Sequence, residues 1–476
     1  MNLLLNLISF LGIFGLCGIA WLGSENKKIV PWKVITVGIV MQLVIGFLVF
    51  ALPITQKFIV LVNDLLNSFI AAAEAGSRFI FGSILVPPTP TGAGLGVPAQ
   101  WLVNTLGTAY VPNAGSALGG ANLNLGYVFA FRALPLIIFF SALVGLLYRL
   151  GILPFIINIF AKFFRQVMGI SGAEALSGSA NIFVGIESAI AVKPYLADMT
   201  RSELCALLTS CFGSIASTVL GLYAGFLLPV FPGITGHLMS ASLLTIPACF
   251  VISKILVPET GVPLTMGGVP QEKVDPDQPK QSIMDSIILG ALDGVKMATG
   301  IAAVLIAIVS LVALLDSAFA GLAGFQASDN ALLSIVGSVF KNISLNNIFG
   351  FLFLPLTFLT GVSLDPAELW NASVLIGQRV LQTSIPPYLS LAAYAKEGIL
   401  SDRALLIVSY VLCGFAHVPS YGIFVGGLAN LAPERRNDIS SLGWKALWAA
   451  TLATLMTGCI AGIFFLEGNS AAILGK

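Results

Sequence analysis

The chain has 476 residues, of which 57% are hydrophobic and 9% charged, and its 23 basic and 22 acidic side chains leave a net charge of +1. Soluble domains carry roughly 25% charged residues, so this composition excludes a soluble globular enzyme and a disordered regulator. Lysine and arginine form no long runs, which argues against a nucleic-acid-binding surface. The apolar runs are long and continuous, and they favour helices over the alternating strands of a β-barrel. We therefore predict an all-α polytopic membrane protein.

Motifs that would indicate catalysis or a bound metal are missing from the sequence. Six cysteines are scattered without metal-ligand spacing, and only two histidines occur, His237 and His417. No HExxH, GxSxG or Walker pattern is present. We predict that the protein is not an enzyme and that it holds no organic cofactor.

The N-terminal region predicts two membrane spans and a third, less regular helix. Residues 3–22 and 34–53 each provide the roughly 20 apolar residues that a helix needs to cross a bilayer. The loop between them carries three lysines, and basic loops favour the cytoplasmic side of a membrane. We expect the N-terminus to lie outside a bacterial inner membrane. Residues 57–80 predict the third helix.

Residues 83–125 differ from the rest of the chain because they are uncharged and rich in proline, glycine and asparagine. We interpret them as a loop insertion outside the membrane. A span is predicted at 127–149. The amphipathic segment 155–169, with Lys162 and Arg165, predicts a helix at the membrane interface.

The remaining apolar runs complete a count of about eight transmembrane helices. Residues 257–283 form a proline-rich loop with both charge signs, and 284–296 predict an amphipathic segment. More hydrophobic material lies at 331–362. The further spans are predicted at 203–230, 238–256, 297–322, 403–430 and 440–467.

Two apolar segments, 177–199 and 376–398, carry too many polar residues for plain lipid-facing spans. The first contains Asn181 and Glu187, and the second contains Arg379 among amides, hydroxyls and two adjacent prolines. Hydrocarbon cannot satisfy such groups. We predict that each segment is a re-entrant hairpin that enters, turns and leaves on the same side, facing a water-filled cavity.

The two hairpins belong to an internal repeat. Each is followed by an apolar helix with a short polar interruption, and 37 residues separate Asn181 from Thr218 and likewise Thr383 from Ser420. We interpret this order as an inverted or pseudo-symmetric repeat. Broken helices expose carbonyl groups, which suit a cation, and helix N-termini, which suit electronegative substrate atoms. This arrangement is typical of a carrier.

The segment NIFVGIESAIAVKPYL resembles the concentrative nucleoside transporter (sodium/nucleoside cotransporter) family, whose first hairpin reads roughly NIFVGQTEAPLLVKPY. The resemblance covers about residues 127–467 and includes IASTVLGLYAGF, the IG…PYLSL hairpin, CGFAHVPSYGIFVGGLA and the PERR–D loop. It implies a homotrimer that moves nucleosides inward with a cation, by an elevator-like motion of the domain that contains the hairpins.

The resemblance also implies a sodium site. In family members that bind sodium, the ligands come from the Asn and Val of NIFV and from a hydroxyl residue and its neighbour in the broken helix. The matching positions here are the side chains of Asn181 and Thr218 and the carbonyls of Val184 and Val219. All four offer oxygen, the ligand that a hard cation prefers.

Substrate contacts are implied at positions in both hairpins and in the second broken helix: Gly185, Ile186, Glu187, Thr383, Ser384, Phe415, His417 and Ser420. The family's Gly-Gln-Thr-Glu is one residue shorter here and lacks the Gln. Thr383-Ser384 stands where the family has Asn-Glu, and His417 replaces an Asn.

These departures leave the solute open. A carboxylate bonds sugar hydroxyls with ~1.5–3 kcal/mol each, which neutral Thr383 and Ser384 do not match. We predict cation-coupled symport of a nucleoside or nucleoside-like solute. The alternative is another small polar solute, such as a nucleobase or a modified nucleoside. Glu187 could pair with His417, or serve as a structural partner for Lys193 or Arg379.

The predicted domain organisation alternates scaffold and transport segments. It comprises N-terminal scaffold helices (1–80), the loop insertion (81–126), a scaffold span with the interfacial helix (127–172), the first transport half (173–256), a loop, interfacial helix and scaffold span (257–365), the second transport half (366–430) and a C-terminal span (431–476).

Overall fold

A computed structural model describes residues 2–51, 53–86, 129–185, 188–268, 282–327, 330–341, 343–466, 468 and 473–475. Within these ranges the chain forms α-helices and short 3-10 turns but no strand, which confirms the all-α prediction. The described helices are α1 (Asn2–Leu22), α2 (Trp32–Ala51), α3 (Pro53–Leu85), α4 (Phe129–Arg149), α5 (Ile152–Met168), α6 (Gly172–Asn181), α7 (Ser188–Ala191), α8 (Arg201–Gly213), α9 (Ser217–Leu227), α10 (Ile234–Leu256), α11 (Ile283–Ala323), α12 (Ala331–Phe340), α13 (Leu345–Leu359), α14 (Pro366–Leu381), α15 (Ile385–Lys396), α16 (Asp402–Leu412), α17 (Val418–Leu431) and α18 (Arg436–Phe464).

Six helices of the described residues are long and apolar enough to cross a membrane, or seven if the bent pair α12 and α13 forms one span. The sequence predicted about eight. The difference arises at 203–230 and 403–430, which the structure divides into α8 and α9 and into α16 and α17. Each half is too short to span a bilayer alone, since about 20 residues are needed.

One sequence prediction about the region after the proline-rich loop was wrong. The amphipathic segment 284–296 and the span 297–322 are not separate elements, because α11 runs without a break from Ile283 to Ala323. Its polar pair, Asp293 and Lys296, forms an exposed ion pair of 2.9 Å one turn apart. Such a pair lies on the helix surface and stabilises the helix instead of ending it.

The third helix also extends further than predicted. It continues past residue 80 to Leu85, with a kink at Gly82, whose φ of 79° is readily adopted only by glycine. Residues 81–85 of the predicted loop insertion are therefore within α3. The rest of that prediction from residue 87 to 126 lies outside the described residues.

Burial separates the long helices into two groups. In the most apolar stretch of each helix, 89% of the residues of α10 and 83% of those of α18 are buried. The buried share is only 22% in α4 and 11% in α11. The two buried helices contact each other through the hydroxyls of Thr245 and Thr457, 3.0 Å apart. The two less buried helices pack along one another. The molecule therefore has a buried helical body and a less buried helical pair, α4 and α11, beside it.

The N-terminal helices pack on the buried body, since α1 contacts α18 and α2 contacts α10. Helix α1 is also joined to α16, because Arg403 donates to Asn6 Oδ1 at 2.7 Å and to Ser9 Oγ at 3.1 Å. Arg403 also donates to the carbonyl of Gly361 at 2.8 Å. The assignment of residues 1–80 to a scaffold domain stays a prediction.

The loop between α1 and α2 is held against the body by Glu25. Its carboxylate Oε1 lies 2.9 Å from Arg201 Nη2 and 2.5 Å from Lys445 Nζ, so it links the start of α8 to the third turn of α18. Hydrogen bonding by Arg201, helped by Lys445, lowers the pKa of Glu25 from 4.5 to about 2. The folded state therefore favours the ionised carboxylate.

This ion cluster predicts a pH-dependent contribution to stability. A carboxyl group with a lowered pKa stabilises the fold above its unfolded value of about 4.5 and loses that contribution as the pH falls toward 2. We expect Glu25→Gln to lower the free energy of unfolding by about 1 kcal/mol at neutral pH, since the cluster is partly exposed. Thermal unfolding in detergent should show the difference shrinking below pH 4.5.

The control is Asp293→Asn, which removes the exposed ion pair with Lys296 and should leave the melting temperature unchanged within error. Equal stability of Glu25→Gln and the parent protein at pH 7 would contradict the prediction.

Candidate functional site

The two broken helices cross at their interruptions. The first break, 214–216, separates α8 from α9, and the second, 413–417, separates α16 from α17. A Cβ atom on Gly414 would lie 2.5 Å from the carbonyl oxygen of Gly213 and 2.8 Å from Thr454 Cγ2. The two backbones therefore touch with no side chain between them, as only glycine permits.

The predicted hairpins are also broken, and their breaks meet these interruptions. Helix α6 ends at Asn181 and α7 begins at Ser188, while α14 ends at Leu381 and α15 begins at Ile385. The entering helices begin before the predicted hairpins, at Gly172 and Pro366 instead of 177 and 376. The predicted bounds were therefore too short at the N-terminal side.

N-caps explain these earlier starts. Ser171 caps α6 through a reciprocal pair of hydrogen bonds with Glu174, and the Asp365 side chain accepts from the Glu368 amide at the start of α14. Such caps satisfy amide groups that the first turn of a helix leaves without partners.

Polar groups at the hairpin breaks bond to the interrupted backbone. Ser384, fully buried, donates its hydroxyl to the carbonyl of Gly414 at 3.0 Å. On the other side, Ser242 of α10 donates to the carbonyl of Ile182 at 3.2 Å. These bonds satisfy carbonyls that the broken helices leave without intrahelical partners.

Asn181 occupies the junction between the first hairpin and the first broken helix. Its side chain is fully buried, and Nδ2 donates to the hydroxyl of Ser210, in the last turn of α8, at 3.0 Å. Its Oδ1 is buried and has no hydrogen-bond partner among the described residues. A buried carbonyl oxygen without a donor is unusual and calls for a further ligand.

The other residues implied as sodium ligands lie at the first hairpin break and just after the first helix interruption. Val184 follows α6 in the break, and Val219, in the first turn of α9, is buried. Thr218 is the second residue of α9, and its side chain is outside the described part of the structure. Amide, carbonyl and hydroxyl oxygens are the donor set that a hard cation takes.

A cavity of about 110 Å³ lies where the hairpin breaks and the broken helices converge. Its lining includes six residues that the sequence assigned to the site: Gly185, Val219, Thr383, Phe415, His417 and Ser420. Gly185 and Ala216 also line a larger cavity of about 510 Å³ between α4, α5, α6 and α11. The two cavities therefore adjoin at the first hairpin break.

The polar side of the small cavity is formed by His417 and Ser420. The imidazole of His417 is buried, with Nδ1 2.9 Å from Ser420 Oγ, and it caps α17 by accepting from the Ser420 amide at 3.3 Å. The ring of Phe415 stands edge-on to it, 6.0 Å between centroids and at 89°. His417 is thus a helix cap as well as a cavity wall.

The structure does not bring every predicted substrate contact to the cavity. Ser384 is not among its lining residues, and its hydroxyl is already engaged with Gly414. Ile186 and Glu187 lie outside the described residues, so the expected pairing of Glu187 with His417 does too.

Sequence reasoning missed the wall opposite the hairpins. Met297, Ile301 and Val304 of α11 line the cavity, as do Tyr223 and Phe424. The first three recur at helical spacing, but α11 is apolar on all sides, so no periodicity distinguishes this face.

Three family models match the chain. Two of them, described as the C-terminus and the N-terminus of the Na+ dependent nucleoside transporter, match residues 237–462 and 11–84. The third, described as nucleoside recognition, matches residues 130–229. Among similar proteins, the putative nucleoside permease NupX of Escherichia coli is 32% identical over 460 residues, which cover 96% of this chain and 98% of the relative.

Solved structures of a transporter in opposite states are also similar. An inward-facing, substrate-bound structure of CNTnw has a TM-score of 0.79 and 31% identity, and the match covers 98% of each chain. An outward-facing structure of doubly substituted CNTnw has a TM-score of 0.81 and 30% identity, covering 98% of this chain and 99% of the other.

The glycine contact between the broken helices gives a testable prediction. In Gly414→Ala the new methyl group would press on the Gly213 carbonyl, a backbone atom that cannot move without shifting α8. We expect a loss of about 1–3 kcal/mol in the free energy of unfolding, as for other overpacked sites. Thermal unfolding of the purified protein in detergent measures it.

The matched control is Gly422→Ala in α17, where nothing lies within 4 Å of the added atom. Alanine there should leave stability equal or higher, because it favours the helix more than glycine. A Gly414→Ala protein as stable as Gly422→Ala would show that the backbones do not meet at this crossing.

Proposed function

The chain belongs to the Na+-dependent nucleoside transporter family, and we propose that it carries a nucleoside or nucleoside-like solute inward together with sodium by alternating access. Members of this family are multi-pass membrane transporters and not enzymes. The observation that carries the proposal is the buried Oδ1 of Asn181, which lies beside the convergent breaks and has no hydrogen-bond donor in the described part of the chain.

The residues at this junction fit a sodium ion. The bond from Asn181 Nδ2 to Ser210 fixes the amide, so that its oxygen is left for another ligand. We propose that Asn181, the carbonyls of Val184 and Val219 and the hydroxyl of Thr218 hold the ion. Because these groups come from the first hairpin break and from the start of α9, the ion would hold the hairpin that borders the solute cavity against the broken helix.

The small cavity supports a planar, partly polar solute. Aromatic side chains of Tyr223, Phe415 and Phe424 provide surfaces for stacking. The hydroxyl of Thr383 and the His417 and Ser420 pair provide hydrogen-bonding groups at its edge. A few polar groups within an apolar wall are the usual composition of a small-molecule site.

The larger cavity supports a pathway for the solute. It adjoins the solute cavity at Gly185 and Ala216 and is bordered by α4 and α11, the helices that are least buried in the body. We propose that displacement of the body against these two helices opens and closes this connection.

The alternative solute, a nucleobase or a modified nucleoside, has its own support. Where the family has Asn-Glu, this chain has Thr383 and Ser384, and the hydroxyl of Ser384 already bonds to Gly414. A ribose would therefore lose a charged partner, whereas a base without a sugar would not.

We also propose a homotrimer in a bacterial inner membrane, with the N-terminus outside. The exposed apolar surface of α11, only 11% buried in its most apolar stretch, provides area for contacts between subunits. The basic loop after α1 supports the orientation.

Coupling is tested by uptake of labelled uridine and adenosine into proteoliposomes with and without an inward sodium gradient. We expect gradient-dependent accumulation by the parent protein. Asn181→Leu keeps the side-chain volume but removes the oxygen, so its apparent sodium affinity should fall at least about tenfold, or ~1.4 kcal/mol. Asn26→Ala, in the loop after α1, is the matched control and should behave like the parent.

The outcomes separate the hypotheses. Uptake that is indifferent to sodium and steep in pH would overturn the sodium site. Absence of accumulation for every nucleoside, with sodium-dependent thermal stabilisation by nucleobases, would favour the alternative solute.

The role of α11 as a wall of the solute cavity is tested by enlarging one side chain that lines it. Ile301→Phe places a larger side chain against the small cavity and should weaken solute affinity by about tenfold while leaving the sodium affinity unchanged. Ile306→Phe is the control on the same helix, because Ile306 is 70% exposed. Isothermal titration with the transported solute measures both. Equal affinities in the two variants would place the solute elsewhere.

A further inference from the structure

Arg379 is a charged side chain in the interior of the buried body. It lies in α14, has no exposed surface and takes part in none of the ion pairs among the described residues. Its Nη1 donates to the carbonyl of Val411 at 2.5 Å and to Thr454 Oγ1 at 2.9 Å. Nε and Nη2 have no hydrogen-bond partner there. Burial of a cation without a carboxylate is costly, so a compensating negative potential is expected.

The ends of two helices supply that potential. Helix α8 ends at Gly213 and α16 ends at Leu412, and the two ends meet at the contact between Gly213 and Gly414. Each helix C-terminus carries roughly half a negative charge on its free carbonyls. Two such ends in contact repel each other unless positive charge lies beside them. Arg379 provides it at α16, since Val411 is in the last turn of that helix.

The first half of the repeat has no equivalent side chain. The offset that pairs Asn181 with Thr383 and Thr218 with Ser420 places neutral Ser177 opposite Arg379. Among the described residues, the first hairpin contributes neutral groups at the end of α8: Asn181, whose amide bonds Ser210, and Ser188, whose hydroxyl lies 3.8 Å from Cys211 Sγ. The two halves thus make the same kind of contact, from a hairpin to the end of a broken helix, but only one includes a fixed cation.

We infer that Arg379 is a built-in cation at the second broken helix, where the first broken helix has the sodium ion proposed above. It neutralises the end of α16 permanently, so this half binds no ion of its own and the protein couples one sodium ion to each solute molecule. The inference rests on the proposed function, because it assigns the coupling ratio of that transport. Arg379 is a positioning residue: it acts on the solute site through the end of α16.

The decisive variants are Arg379→Lys and Arg379→Gln. Lysine keeps the charge and should keep the parent's sodium dependence. Glutamine removes the charge and adds an oxygen beside the Val411 carbonyl and the Thr454 hydroxyl, which together resemble a cation site. We expect its uptake to need higher sodium, with the Hill coefficient for sodium rising from about 1 to about 2.

The readout is the charge moved per molecule of labelled uridine in proteoliposomes. One elementary charge is expected for the parent protein and for Arg379→Lys, and two for Arg379→Gln at high sodium. Arg403→Lys is the matched control, because Arg403 is buried at the other end of α16 and bonds Asn6, Ser9 and Gly361. It should leave the charge ratio unchanged even if stability falls.

Equilibrium binding of radioactive sodium supplies a measurement that does not depend on the folding of Arg379→Gln. The parent should bind one ion and Asn181→Leu none. Two ions bound to the parent, or two charges per uridine, would overturn the inference while leaving sodium-coupled transport intact. A folded Arg379→Gln with the parent's sodium dependence would overturn it too. Absence of sodium-driven uptake by the parent would instead defeat the proposed function.

Discussion

A helix that is interrupted within a membrane frees carbonyl and amide groups that lipid cannot satisfy, and the structure is organised around this constraint. Four breaks converge in the buried body, two in the hairpins and two in the following helices. The freed groups are met from neighbouring elements: Ser384 reaches Gly414, Ser242 reaches Ile182, and Arg379 reaches Val411. The oxygen of Asn181 has no hydrogen-bond donor among the described residues. The sodium ion proposed at this position would satisfy it, in line with the same constraint.

The same constraint explains why burial is so uneven. The helices that surround the breaks, α8, α10 and α16, are almost wholly buried, and α18 is buried from Ala449 to Gly462, because every polar group among them must find a partner within the protein. Helices α4 and α11 contain no such breaks and have the smallest share of buried residues among the long apolar helices. The cavity lies between the two kinds of helix, where polar groups of the breaks face the apolar side chains of α11.

Sequence alone predicted the features that depend on local chemistry. From polar residues within apolar runs, the sequence predicted the positions of both hairpin breaks and both helix interruptions. Of the site residues that the family resemblance implied, six line the cavity. Features that depend on packing were missed. The sequence predicted two elements where α11 is one continuous helix, because the charged residues Asp293 and Lys296 resembled the end of an interfacial segment. The commitment of Ser384 to Gly414 depends on a partner thirty residues away, which no local pattern indicates.

The contact between Gly213 and Gly414 has a mechanical consequence. Two backbones that touch without intervening side chains leave no compressible layer, and tightly packed interiors transmit displacement rather than absorb it. The two broken helices therefore cannot slide past each other at their crossing. In the alternating access proposed for this protein, both broken helices have to move together as one rigid piece, and sliding is confined to the border between this piece and helices α4 and α11.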